Sequence, residues 1–245
     1  MSFLIAGLCK ARIHAPGLSV VSTGKDKGHL RADIAEGLRA VFGDRVMRAV
    51  TLAATVGAFG GQMQNVVLIL FFVRDARVSP ALVGVLIAIA GLAAIAGAFL
   101  ATPITARLGP GRAFIAGMFL ASTAGVVLAG AFRPLPLALT VLIFAQLLRG
   151  AGPSIYSVHQ QTFRQSLLAP EVLSRANGSW RFLVYGMQVF GALLGGVLGS
   201  ALGLRETLLI SSAVMLSGVA IAYSSPLRTL QSLPAEPASE ATSAA

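Results

Sequence analysis

Six long apolar runs dominate the chain, at 47–73, 80–104, 113–132, 135–158, 182–202 and 207–223, separated mostly by short polar connections. A helix needs roughly 20 residues to cross about 30 Å of hydrocarbon, so each run predicts one membrane-spanning helix. A further run, Phe3 to Cys9, is too short to span and reads as the last turns of a span whose beginning is missing. In "RADIAEGLRAVFGDRVMRA", Ile34, Leu38, Val41, Phe42 and Val46 recur at helical spacing with charges opposite. That pattern predicts an interfacial helix leading into the first full span. After Pro226 the sequence becomes rich in Pro, Ala and Ser, which predicts a disordered tail. The expected organisation is a stub at 1–9, a cytoplasmic segment with an amphipathic helix at 10–46, a six-helix transmembrane domain at 47–225 and a cytoplasmic tail at 226–245. The fold class is all-α, a polytopic membrane helix bundle.

Composition agrees with the pattern. Of 245 residues 56% are hydrophobic and 11% charged, with a mean hydropathy of +0.80, whereas soluble domains carry roughly 25% charged residues. A net charge of +10 would suggest nucleic acid in a soluble protein. Here the basic residues flank apolar runs, so a membrane surface accounts for them and no nucleic-acid partner is expected. Starting from a cytoplasmic N-terminal segment, fourteen Lys and Arg fall on the inside and four (Arg74, Arg77, Arg133 and Arg205) on the outside. The positive-inside rule then puts both termini in the cytoplasm, with the protein in the cell membrane.

Polar residues inside the spans are the candidate chemistry, because lipid leaves their groups unsatisfied. On the fourth span Gln146, Arg149, Gly152/Pro153, Tyr156 and His159/Gln160 recur every three or four residues, a stripe that should face protein or water. Arg149 lies about 21 Å along this helix at 1.5 Å per residue. It either snorkels and fixes the helix in register or serves a cavity or gate. His159 reads as interfacial. On the first span Thr51, Thr55, Ala58, Gln62 and Asn65 share one face while Gln64 points away; this face either lines a substrate pathway or bridges to a neighbouring helix. The fifth span carries Gly191, Gly195, Gly199 and Gly203 at four-residue intervals, plus Gly186 and Gly196. Small residues at that spacing let helix backbones approach closely.

The cytoplasmic connections add further candidates. "PITARLGPGRAF" sets Arg107 and Arg112 around a turn containing Gly109. The connection from about 159 to 181, "QQTFRQSLLAPEVLSRANGSWRF" at its core, reads as a short amphipathic helix, a break at Pro170 and a return to the membrane past Arg175 and Arg181, with Trp180 at the interface and Arg164 in the loop. No Asp or Glu lies within the six apolar runs, and no Cys/His cluster has metal-ligand spacing. No Walker A, HExxH or GxSxG stretch is present. No enzyme activity, metal or cofactor is expected.

Taken in order, "IAEGLRAVFGDRVMRAV", "SPALVGVLIAIAGLAAIAGAFLATPITARLGPGRAF", "LLRGAGPSIYSVHQQTFRQSLLAPEVLSRANGSWRF" and "GALLGGVLGSALGLRETLLISS" resemble the C-terminal half of a major facilitator superfamily transporter, in the enterobactin-exporter-like and macrolide-efflux-like branch. The resemblance implies that the six spans are similar to helices seven through twelve. Arg107, Gly109 and Arg112 look like the family's basic loop between helices eight and nine, and Arg149-Gly150-Ala151-Gly152 looks like the C-half echo of a motif on its fourth helix. Such transporters bind substrate between two halves that rock about a midplane site. The expected function is alternating-access export of a small amphipathic molecule, a siderophore or a drug-like compound. Gln62, Asn65, Arg149 and Tyr156 would face the pathway; Arg107, Gly109, Arg112, Arg164 and Arg175 would gate it; Gly191, Gly195, Gly199 and Gly203 would pack helices. Expected partners are the lipid bilayer, the small-molecule substrate, and an N-terminal half-transporter chain or a second copy. The alternatives are a non-transporting membrane scaffold and a non-functional gene fragment.

Overall fold

Helix ends in this chain are written in residues that satisfy or avoid unpaired amides. Asp44 Oδ1 accepts from the Val46 and Met47 amides, both at 2.8 Å, and so caps the first helix. Pro80 and Pro110 open the next two, where a missing N–H costs nothing. In the computed structural model these signals delimit α1 (Arg45–Leu70), α2 (Pro80–Leu108), α3 (Pro110–Ala129), α4 (Leu135–Leu167), α5 (Pro170–Ala201) and α6 (Leu204–Tyr223). A π-helical turn, Phe71–Asp75, extends α1, and a 3-10 turn, Pro226–Thr229, follows α6. The structure describes residues 41–131, 135–167 and 170–229, together with 37 and 39. The expected stub at 3–9, most of the expected amphipathic helix and the tail beyond 229 lie outside the described residues. Residues 41–43 of that amphipathic helix are helical.

All six helices are long and apolar enough to cross a membrane, and no strand occurs among the described residues. The expected loop at 159–181 is corrected in extent, since α4 continues to Leu167 and α5 begins at Pro170, while the expected break at Pro170 stands. Hydropathy marks where side chains leave hydrocarbon. The helix itself runs on, because its backbone bonds are made internally whatever the side chains are.

The helices pair in a pattern with an internal symmetry. α2 lies against α4 and α1 against α5; α3 lies against α4 and α1 against α6; α3 and α6 meet each other. Exchanging α1 with α4, α2 with α5 and α3 with α6 leaves this pattern unchanged. The bundle is therefore two interleaved three-helix repeats. Three crossings reverse the chain direction, so the repeats have inverted topology, an arrangement common to transporter folds. Phe71, Phe72, Leu142 and Leu208 fill one buried cluster, and Phe114, Met118, Phe163 and Leu227 fill another. The outer surface stays apolar: Phe99 on α2 is 78% exposed and Phe182 on α5 is 80% exposed. Exposure of this kind suits lipid rather than water.

Candidate functional site

A cavity of about 350 Å³ opens among the helices, and its walls come mainly from α1, α4 and α5. Gln62 and Asn65 reach it from α1 and Arg149 and Tyr156 from α4. Those two helices are the first of each repeat. All four pathway candidates thus meet at one site, and three of them are linked. Arg149 Nη2 donates to Asn65 Oδ1, and Asn65 Nδ2 donates to Gln62 Oε1 at 3.5 Å.

Helical rotation divides the polar stripe of α4 among its neighbours. Arg149, Pro153, Tyr156 and Gln160 line the cavity. Gln146 turns to α2, where its Nε2 donates to Leu86 O at 2.9 Å. His159 also turns to α2: its Nδ1–H donates to Ile155 O at 2.6 Å and its Nε2 meets the Thr105 hydroxyl at 2.5 Å. It is buried, and a hydroxyl on the facing helix supplies its partner. The two glycines beside Arg149 face different helices. A Cβ on Gly150 would collide with Ala90 O of α2, and one on Gly152 would stand 2.5 Å from Ala121 N of α3. The Arg-Gly-Ala-Gly stretch therefore holds α4 against two neighbours while its arginine faces the cavity.

Other expectations are redistributed. Gln64 points away from Gln62 and Asn65 on α1 yet lines the same cavity, and it is 3% exposed. The cavity is wide enough to be touched from two sides of α1. Trp180 is buried in its wall, with the Arg164 guanidinium stacked 3.7 Å from its ring centroid. Arg164 is buried on α4, not in a loop, and its Nη2 donates to Gln161 Oε1. Tyr185, Gln188 and Ser157 also line the cavity. Sequence reading missed Tyr185 and Gln188, which precede the glycine stripe on α5. Arg107 ends α2 and Arg112 begins α3, both exposed; Arg112 Nε donates to Arg228 O at 3.4 Å. Gly109 separates the two helices, and Arg175 is exposed on α5. None of these last four lines the cavity.

The α5 glycines bear on α1. A Cβ on Gly191 would collide with Phe59 O, on Gly195 it would stand 2.7 Å from Met63 Cα, and on Gly199 2.8 Å from Val67 Cγ1. Gly203 departs from the series. It lies in the turn before α6 with φ +111°, and its role is conformational. Gly186 and Gly196 face open space. Among the described residues no group of His, Cys, Asp or Glu could hold a metal ion.

Residues 50–243 match the family model described as Major Facilitator Superfamily. Comparison with curated proteins and with solved structures finds no significant match.

Proposed function

Because the chain belongs to the Major Facilitator Superfamily, a family of membrane transporters, we propose that it forms one wall of a transport pathway that exports a small amphipathic molecule by alternating access. A siderophore or drug-like compound suits the enterobactin-exporter-like and macrolide-efflux-like resemblance. The observation that carries this reading is the convergence of Gln62, Asn65, Arg149 and Tyr156, from the first helices of both repeats, on one polar cavity inside an apolar bundle. Intramembrane polar groups are costly unless they face protein, water or a ligand. Aromatic rings from Tyr156, Trp180 and Tyr185 beside amides give such a cavity both an apolar and a hydrogen-bonding surface. A second bundle, either an N-terminal half-transporter chain or another copy, would supply the facing wall, and rocking between the two would expose the site to each side in turn. Arg107, Arg112, Arg164 and Arg175 would steady the cytoplasmic end of that movement.

The test is reconstitution of the chain with a candidate N-terminal half in proteoliposomes, followed by efflux of a fluorescent dye or a siderophore. Arg149→Ala should lower efflux by about tenfold or more, since a charge-assisted hydrogen bond contributes roughly 1.5–3 kcal/mol. Gln62→Ala and Asn65→Ala should lower it less. Full transport by all three variants would remove these residues from the pathway.

A further inference from the structure

The cavity carries a positive charge that no acidic side chain of its described lining balances. Among the described residues Arg149 donates to the amide oxygen of Asn65, which is neutral. Among the residues whose side chains are described the acids are Asp44, Asp75 and Glu206, all at helix ends, and none lines the cavity. An arginine cannot shed its proton to escape this situation, and an unpaired charge inside a membrane protein is strongly disfavoured. The wall is also short of acceptors. Gln64 Nε2, Gln160 Nε2 and Trp180 Nε1 are buried without one, on lining residues that are 3%, 6% and 8% exposed. An indole nitrogen can only donate. Arg164, stacked on Trp180, adds a second positive charge beside the same wall.

We infer that the cavity binds an organic anion: an amphipathic molecule whose carboxylate, sulfate or similar oxyanion meets Arg149 while its apolar body lies against Tyr156, Tyr185 and Met215. The inference rests on the transport reading above and assigns its substrate class. Water can accept from the glutamines but brings no charge to set against the guanidinium. A cationic ligand would add like charge where the described lining offers no carboxylate to offset it. Oxyanions also fit the donor fork of arginine, which takes them through two parallel bonds.

Trp180 is the protein's single tryptophan, so its emission reports on this wall alone. The full chain is placed in nanodiscs of zwitterionic lipid and titrated with octyl sulfate, octyltrimethylammonium and octyl glucoside, which share a tail and differ in head charge. Octyl sulfate should change the emission saturably at concentrations about tenfold or more below the other two, as a charge-assisted bond implies. Arg149→Gln should abolish that preference and Arg149→Lys should retain most of it, with folding checked by circular dichroism and gel filtration. Equal responses to the three heads, or a sulfate preference surviving in folded Arg149→Gln, would overturn the inference. If Arg149→Gln does not fold, the wild-type preference and its retention in Arg149→Lys decide. Repeating the titration in phosphatidylglycerol separates sources: an unchanged response supports a soluble anion, whereas its loss assigns the site to a lipid headgroup and overturns the proposal. Binding here needs no transport. A sulfate preference without efflux in the reconstituted pair would sink the transport reading alone; efflux restricted to cations would sink this one alone.

Discussion

Gly109 and Gly203 show how much a single residue can decide. Their backbones stand at φ 79°, ψ 160° and φ 111°, ψ 163°, a region that only glycine enters without strain. Each joins the second helix of a repeat to the third, α2 to α3 and α5 to α6, so one device recurs at equivalent points. The sequence marks Gly109 through its Gly-Pro-Gly setting, but Gly203 reads there as the fourth member of a packing stripe. Gly203→Ala should cost about 1–3 kcal/mol through backbone strain, seen as a lower melting temperature in detergent. An unchanged value would mean the turn relaxes freely. Gln64, Trp180 and His159 illustrate a different limit. Each carries a polar group near a span's apolar run, and each finds its surroundings on another helix.

At the scale of elements, glycine spacing sets which helices touch. Gly191, Gly195 and Gly199 seat α5 against Phe59, Met63 and Val67 of α1. The equivalent pair in the other repeat uses the same means: a Cβ on Gly97 of α2 would stand 2.7 Å from Ala151 Cα of α4. Backbones this close gain dispersion contacts that larger residues would prevent. Two neighbouring positions on α5 provide the test. Gly195→Leu should destabilise by about 1–3 kcal/mol or more, because Met63 backbone lies in the way. Gly196→Leu, facing open space on the same helix, should leave thermal stability in detergent nearly unchanged. Equal losses would show that helix propensity, not contact, governs these sites. The stripe at 191, 195 and 199 was legible from spacing. Which helix it meets was not, because many helices offer a small-residue groove.

Across the whole molecule, two inverted repeats surround a polar cavity and turn an apolar exterior outward. That division makes a prediction about access. In a Cys9→Ser background in lipid bilayers, single cysteines at Gln62 and Tyr185 should react with a water-soluble maleimide at least about tenfold faster than cysteines at Phe99 and Val197, since only the thiolate reacts and hydrocarbon suppresses it. Comparable rates at all four positions would mean that the cavity is closed to water or that the outer surface is not lipid-facing. Adding a partner bundle that covers the open wall should slow labelling at Gln62 and Tyr185 and leave Phe99 and Val197 unaffected.

Six spans, their approximate lengths and the polar positions within them were determined by the sequence alone, because apolar length and helical spacing are local properties that a bilayer makes decisive. The convergence of Gln62, Asn65, Arg149 and Tyr156 on one cavity, the burial of His159 against Thr105, and the turn role of Gly203 were decided only by tertiary structure. Those features depend on rotation of each helix about its axis and on the choice of neighbour. Both are set by contacts between residues remote along the chain, such as Gly195 with Met63 and Gly150 with Ala90, which no local pattern encodes.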